Sequence, residues 1–453
     1  MTSYSGRMPL TYPIVTRTLD NGLRVVVSED RSVPAVTVNL WVDVGSRHEV
    51  PGQTGLAHLF EHLMFQGSEN VAEGEHFAAL MAHGGRLNAT TWFDRTNYFE
   101  TVPTGALDLA LWLEADRHGR LRSALTQENL DNQRDVVKEE KRQRYDNQPY
   151  GNAVNDLVGL VFPQGHPYHH PTIGSMEDLD AASLETVHAF YDRHYGPDTT
   201  VLTLVGDVAA QEGFAAAERY FGDLPRTNRS PQPRSAPLGP LPAPQRVVRV
   251  QEVPNDRIYL GFRFPQGHTA EYLAGAVALD ALGGLAISRL HRRLVRRDDV
   301  ATGVSASSMG LVDGTSLAFI AVDVSEGRDI AEAEETLLEE LLEFARTGPT
   351  ELELEASLAD TERSWLEALA GMDERADLIG HSTCLYDDPH FVNTFLDEVA
   401  TVTAEEVQLA AQRWLQPEHR AAVIYRDGDP VDQDVPLGDL TAGESGPHTE
   451  GVA

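Results

Sequence analysis

The 453-residue sequence holds a single cysteine, Cys384. It can therefore form no intrachain disulfide and no zinc site of the usual four-thiolate or mixed thiolate kind. Within Gly380-His-Ser-Thr-Cys-Leu385, Cys384 reads as a small core residue rather than a nucleophile. Basic residues are also scarce: 36 lysines and arginines face 70 acidic side chains, for a formal charge of −34. Phosphate binding needs clustered cations, so a general nucleic-acid role is excluded. The acidity fits either a solvated surface or an acidic chamber that favours basic or amphipathic peptides. No apolar run approaches the ~18 residues that span a bilayer, and the first ten residues lack the basic start and apolar stretch of a signal peptide. The expected location is the cytoplasm, with no membrane partner. A G-x-S-x-G elbow is missing too, which removes the usual serine-hydrolase pattern.

What is present suggests two domains, since single cores stop growing near ~250 residues. Ser230-Pro-Gln-Pro-Arg-Ser-Ala-Pro-Leu-Gly-Pro-Leu-Pro-Ala-Pro244 carries six prolines in fifteen residues and reads as an extended linker. Strand patterns over residues 23–28 and 35–44, with a turn at Asp20-Asn-Gly22, precede a helical segment. After the linker, strand patterns over 246–250 and 257–264 again precede a helical segment, from about Thr269 to Val295. Strands then helices, twice, predict an α+β fold: two similar domains of mixed or antiparallel sheet packed with helices, related by duplication. The expected limits are 1–229 for the first domain, 230–245 for the linker and 246–427 for the second domain. An acidic, aperiodic tail over 428–453 is expected to be disordered.

His58-Leu-Phe-Glu-His62 is the most informative stretch. Thr54 and Gly67 can cap the two ends of a helix here. On it His58 and His62 lie only ~40° apart, stacked on one face, where two imidazoles can share a metal ion. Glu61 reaches the same side and is placed to take a proton from water. This is the inverted H-x-x-E-H arrangement. A third ligand is offered by Gln133-Arg-Asp-Val-Val-Lys-Glu-Glu-Lys-Arg-Gln-Arg144, helical by composition. With Val136 and Val137 marking its buried stripe, Glu140 falls ~10° from the centre and Glu139 ~110° away. Gln133 shares the face of Glu140. A carboxylate on an apolar stripe needs a charge partner, either a zinc ion or an Arg or Lys. His76 and His83, at the ends of the helix Glu75-His-Phe-Ala-Ala-Leu-Met-Ala-His83, read as surface or capping groups. His166 reads as a loop-ordering residue, and His118 and His194 show no metal spacing.

Several blocks beyond this motif carry a family resemblance. They are Gly84-Gly-Arg-Leu-Asn-Ala-Thr-Thr91 with Asp94, Thr96 and Tyr98; Val136-Val-Lys-Glu-Glu140 before Asp146-Asn-Gln-Pro-Tyr-Gly151; and His166-Pro-Tyr168 with Ile173-Gly174. From about Leu19 to Leu415 the sequence resembles the pitrilysin/insulinase family of zinc peptidases, in its mitochondrial-processing-peptidase-like branch. The resemblance implies one Zn2+ per chain, held by His58, His62 and Glu140 in the first domain only, with Glu61 as general base. Two imidazoles and one carboxylate leave a fourth position open, as in catalytic zinc sites. It also implies a peptide substrate added as a strand to Asn88-Ala-Thr-Thr-Trp92, with Asn88, Ala89 and Thr90 binding its main chain inside a closed chamber.

Two positions depart from the family pattern. Gln133 stands where a second glutamate often supports the ligand glutamate, which implies tuning rather than loss. In Leu294-Val-Arg-Arg-Asp-Asp-Val-Ala-Thr-Gly-Val-Ser305, Arg296 keeps a substrate-binding arginine, but Thr302 replaces the tyrosine that steadies the oxyanion. The expected partner is therefore a homologous subunit that supplies an Arg/Tyr pair, with a homodimer as the alternative. A non-catalytic peptide-binding or scaffold subunit on the same fold is the rival reading.

Overall fold

The structure is a computed structural model that describes residues 10–227, 229 and 234–428. All of the expected disordered tail, 428–453, except Gly428, and part of the expected linker, 230–233, lie outside the described residues.

Among the described residues eleven strands form two sheets. The first contains β1 (Val15–Thr18), β2 (Arg24–Glu29), β3 (Ala35–Val42), β4 (Arg86–Thr91), β5 (Thr96–Pro103) and β6 (Thr200–Gly206), in the order β1-β2-β6-β3-β5-β4. The second contains β7 (Gln245–Gln251), β8 (Arg257–Pro265), β9 (Ala301–Met309), β10 (Thr315–Val324) and β11 (Ala421–Asp427), in the order β7-β11-β8-β10-β9. Leaving β1 aside, the two orders superpose strand for strand. In each, a first strand pairs parallel with the last (β2 with β6, β7 with β11), and every other pairing is antiparallel. The fold is α+β, and the matched topology is that of a duplicated domain.

The sequence reading needs adjustment in the helices. The segment 269–295 is not one helix. It runs as a helix over Ala270–Leu279, widens to a π-turn over Asp280–Gly284, breaks, and resumes over His291–Arg297. Paired glycines, Gly283-Gly284, lie at the break, where helical order costs most entropy. The proline-rich segment is free of helix and strand over 234–244 but is stapled to the second sheet. Ser235 donates its N–H and hydroxyl to Asp313, Leu238 N–H bonds Thr315 Oγ1, and Leu241 is buried.

Each half lends a helix to the other half's sheet. The helix Ala153–Val161 packs Leu157, Val158 and Val161 against Tyr259, Leu317 and Val423 of the second sheet. Reciprocally, the helix Met372–Tyr386 packs Ala376 and Ile379 against Val26, Trp41 and Val201 of the first. Gly380 makes the second approach possible, because a Cβ there would lie 2.5 Å from Trp41 Cδ1. Covered on both faces, β6 is buried at all seven positions and shows no strict alternation of apolar and polar residues. Among the described residues no helix is long and apolar enough to cross a membrane.

Candidate metal centre

The inverted motif lies on α1 (Leu56–Leu63), shorter at both ends than the capping residues suggest. Thr54 is not its N-cap. Gly55 is, in the left-handed region at φ 90°, while Thr54 Oγ1 donates to Asp178. The cap is supplied from a loop instead. The fully buried Glu49 carboxylate accepts the N–H groups of Gly55 (2.9 Å) and Ala57 (2.8 Å), and His170 Nε2 lies 2.8 Å from it. A carboxylate at a helix N-terminus satisfies orphan donors and complements the dipole. Gly67 lies beyond the end of α1, at φ 97°.

The next helices are α2 (Glu75–Ala82), α3 (Leu107–Arg120) and α4 (Gln127–Lys141). Thr126 caps α4 in a reciprocal box with Asn129, and α4 continues as a π-turn over Arg142–Asp146. Leu130, Gln133 and Val137 are its buried residues, whereas Val136 is 42% exposed. The buried stripe is therefore rotated from the one drawn through both valines. It still carries Glu140 inward, with a side chain 17% exposed, and leaves Glu139 outside, paired with Arg142 and Gln143.

The structure brings His58, His62 and Glu140 together. Both imidazole Nε2 atoms approach one carboxylate oxygen, Glu140 Oε2, at 3.6 Å from His58 and 3.4 Å from His62. The ligand atoms all lie within 4.8 Å of one another, and among the described residues no other group of His, Cys, Asp or Glu is so placed to hold a metal ion. Glu140 Oε1 is taken by Arg144 at 2.8 Å, so the cationic partner and the imidazoles use different oxygens. Arg144 is 72% exposed, and such a pair contributes little.

The electrostatics suit a cation. Burial, then the neighbouring His62, pushes His58 down to about 4, so the ring is neutral near pH 7 with a lone pair to offer. The hydrogen bond with His62, reinforced by His58 and Arg144, holds Glu140 below the usual carboxylate range. Two imidazole nitrogens and one ionised carboxylate oxygen within a few ångströms fit a divalent zinc ion.

Glu61 is the fourth residue at this place. Burial raises its carboxyl above the ordinary range, and the Thr91 hydroxyl opposes the shift by donating to Glu61 Oε2 at 2.5 Å. Thr91 ends β4, the edge strand of the first sheet. Trp92 N–H bonds the Arg95 carbonyl, so 90/97, 88/99 and 86/101 are the hydrogen-bonded pairs of this hairpin. The N–H and C=O groups of Leu87, Ala89 and Thr91 consequently point to the open edge. Asn88 Oδ1 folds back to accept the Ala89 N–H at 2.9 Å, and Thr90 Oγ1 donates to Asn97.

Other expected residues stand apart. Gln133 is buried on the face of Glu140, seven residues before it. Arg296 is exposed, on a segment that packs chiefly against β9 and the helix Ile330–Thr347, and is not in contact with the trio among the described residues. His76 is not a surface group. It is buried against Phe65 with its Nε2 3.6 Å from Glu114, and burial pushes it down to about 3. His83 is exposed, with Nδ1 2.8 Å from the Ala79 carbonyl. His166 accepts the Tyr168 N–H and stacks on Phe162, ordering its loop. His118 and His194 are buried, away from the trio. Sequence reading missed Glu49, His170 and Thr91 as supports. The acidic Glu49, six residues before the motif helix, was the one local signal.

The model described as Insulinase (Peptidase family M16) matches residues 24–175, and that described as Peptidase M16 inactive domain matches residues 181–359. The chain is 32% identical over 311 residues to the zinc protease PqqE of Helicobacter pylori, covering 67% of this chain and 68% of that protein. It is 29% identical over 408 residues to an uncharacterized zinc protease of Mycobacterium leprae, with 90% of each covered. Its fold is similar to a solved protease from Helicobacter pylori, with TM-score 0.85 and 24% identity over 92% of this chain and 100% of that one. It is also similar to a peptidase M16 inactive domain from Pseudomonas fluorescens, with TM-score 0.80 and 18% identity over 93% and 100%. The trio lies within the first matched segment and the second sheet largely within the other. Two matched halves and a 32%-identical relative across two thirds of the chain place this protein in peptidase family M16, the insulinase family.

Proposed function

We propose that the chain is a zinc-dependent endopeptidase of the H-x-x-E-H type, which cuts peptides or unfolded polypeptides and carries one Zn2+ on His58, His62 and Glu140. The observation that carries this reading is the convergence of three ligand atoms within 4.8 Å, beside a carboxylate fixed by Thr91. Zinc in that position supplies Lewis-acid polarisation of a peptide carbonyl and makes water acidic enough to react near neutral pH. Glu61 takes the proton from the attacking water and returns it to the leaving amine. Its burial suits both halves of that cycle, since a carboxyl raised toward neutrality can accept and then release a proton. The open edge of β4 holds the peptide as an added strand through the groups of Leu87, Ala89 and Thr91, which gives affinity with little sequence choice.

The second part of the proposal concerns assembly. Thr302 cannot play a tyrosine's part at an oxyanion: its short side chain is directed to the Asp323 carbonyl at 3.5 Å. Arg296 is exposed and makes no ion pair or hydrogen bond among the described residues. Both features support a heterodimer in which this chain is the catalytic subunit and a homologous partner supplies an Arg/Tyr pair, the two closing a chamber around the substrate. Full activity of this chain as a homodimer overturns that arrangement without touching the metal assignment.

The test of the chemistry is Glu61→Gln. The variant is expected to retain zinc and lose about 10²–10⁴-fold in hydrolysis of a quenched peptide. Turnover at the wild-type rate contradicts the role given to Glu61.

A further inference from the structure

The two faces of the β4–β5 hairpin meet different neighbours. Thr91 sends its hydroxyl to Glu61 on α1. Asn97, the cross-strand partner of Thr90, points the other way, and its Nδ2 donates to Asp377 of the helix Met372–Tyr386 at 2.8 Å. Side chains alternate along a strand, so Arg86, Asn88 and Thr90 share the face of Asn97, Phe99 and Thr101. That face is covered by the helix from the C-terminal half only as far as the helix's first turn.

Beyond that turn lies a groove of about 510 Å³. Phe99, Pro34, Pro103 and Met372 give it an apolar lining, and Arg86 and Asp373 also line it. Phe99 and Met372 are only half-buried, so their apolar surface is open to a ligand. The groove is continuous with the open edge of β4 at Leu87 and Asn88. A peptide added to that edge alternates in its turn. Every second side chain faces α1 and Glu61, and the intervening ones face the groove. Levels 86–88 are three to five residues from Thr91, or ~10–16 Å along a strand.

We propose that this groove is a specificity subsite, taking an aromatic or long aliphatic side chain of the peptide three to five residues from the bond cut. Met372, from the half without metal ligands, selects that side chain. This rests on the peptidase reading, and it assigns the second domain a part in choosing substrate that is independent of Arg296. Burying an apolar side chain against such a lining gives about a tenfold preference over a charged one.

The test compares wild type with Met372→Glu and Met372→Lys, at a half-buried position in the first turn of a helix, on quenched peptides varied three to five positions either side of the cut. Wild type is expected to favour Phe or Leu over Lys or Asp about tenfold in kcat/KM at one position. In Met372→Glu the Phe/Lys ratio is expected to fall to about one, and in Met372→Lys the Phe/Asp ratio is expected to do the same. Fluorescence anisotropy of labelled peptides on the same three proteins gives the corresponding ratios of Kd without turnover. Cleavage with ratios that do not differ among the three proteins overturns the subsite and leaves the peptidase standing. Selective binding leaves the subsite standing whether or not this chain cuts alone, and absence of cleavage even with the homologous partner added overturns the peptidase reading. No peptide binding overturns both.

Discussion

Thr91 Oγ1 donates to Glu61 Oε2 at 2.5 Å, joining the last residue of an edge strand to the motif helix. The strand proposed to hold a peptide and the carboxylate proposed to handle the proton are thereby held in one frame. Thr91→Val keeps the shape and removes the donor. The expected result is a ten- to hundredfold fall in kcat with zinc content unchanged, as for a catalytic group left misoriented. Zinc measured alongside turnover checks it.

The two adjacent glutamates of α4 separate ligand from surface. Glu140→Gln is expected to strip the protein of zinc on dialysis, whereas Glu139→Gln is expected to keep one zinc per chain and full activity, because among the described residues Glu139 bonds only Arg142 and Gln143. Elemental analysis of the two variants decides.

Asp377 links the C-terminal half to the β4–β5 hairpin. It accepts from Asn39 (3.3 Å), Trp41 Nε1 (3.0 Å) and Asn97 (2.8 Å), and it faces the buried Arg95 guanidinium, which itself donates to the Thr90 carbonyl. Removing one partner of a buried pair strands the other. Asp377→Ala is expected to cost about 3 kcal/mol in a urea melt. A loss below ~1 kcal/mol contradicts this account of the interface.

Glu353 sets an acid limit on stability. Burial would raise its carboxyl, but the hydrogen bond from Arg289, the Thr350 N–H and Arg292 together bring it from 4.5 down to about 2. A depressed folded value means a contribution fully present above pH 4.5 and lost as pH falls from there toward 2. The stability difference between wild type and Glu353→Gln is therefore expected to be on the order of 2 kcal/mol at neutral pH. It should shrink across pH 4.5 to 2, as followed by denaturant melts. A gap independent of pH in that window refutes the assignment.

Burial pushes the Cys384 thiol up to about 12, against the nearby arginines, so little thiolate exists at pH 8. Alkylation of the folded protein by iodoacetamide is expected to run at least tenfold slower than that of glutathione. An equal rate contradicts the burial argument.

Legibility from sequence followed the distance over which the physics acts. His58, His62 and Glu61 were readable because helical spacing alone puts them on one side of α1. Glu140 was readable because an acid on a buried stripe is conspicuous, although Val136 turned out to face solvent and the stripe was drawn rotated. β2, β3, β7 and β8 were readable from apolar patterning, whereas the order of strands within each sheet depends on long-range pairing and was not. What could not be read depends on partners remote in sequence. His76 is buried because Glu114 lies across from it on α3. The cap of α1 comes from Glu49 in place of Thr54, with His170 brought in from beyond the next four helices. Asp377 belongs to the other half of the chain, and no local pattern marks it as a neighbour of Asn97.

The most direct test of the metal centre is anomalous diffraction at the zinc absorption edge from crystals of the zinc-loaded protein. The account predicts a single peak per chain, bonded to His58 Nε2, His62 Nε2 and a Glu140 oxygen, with Glu61 close by but not coordinating. A peak bound elsewhere, or one that leaves Glu140 out in favour of another carboxylate, contradicts it.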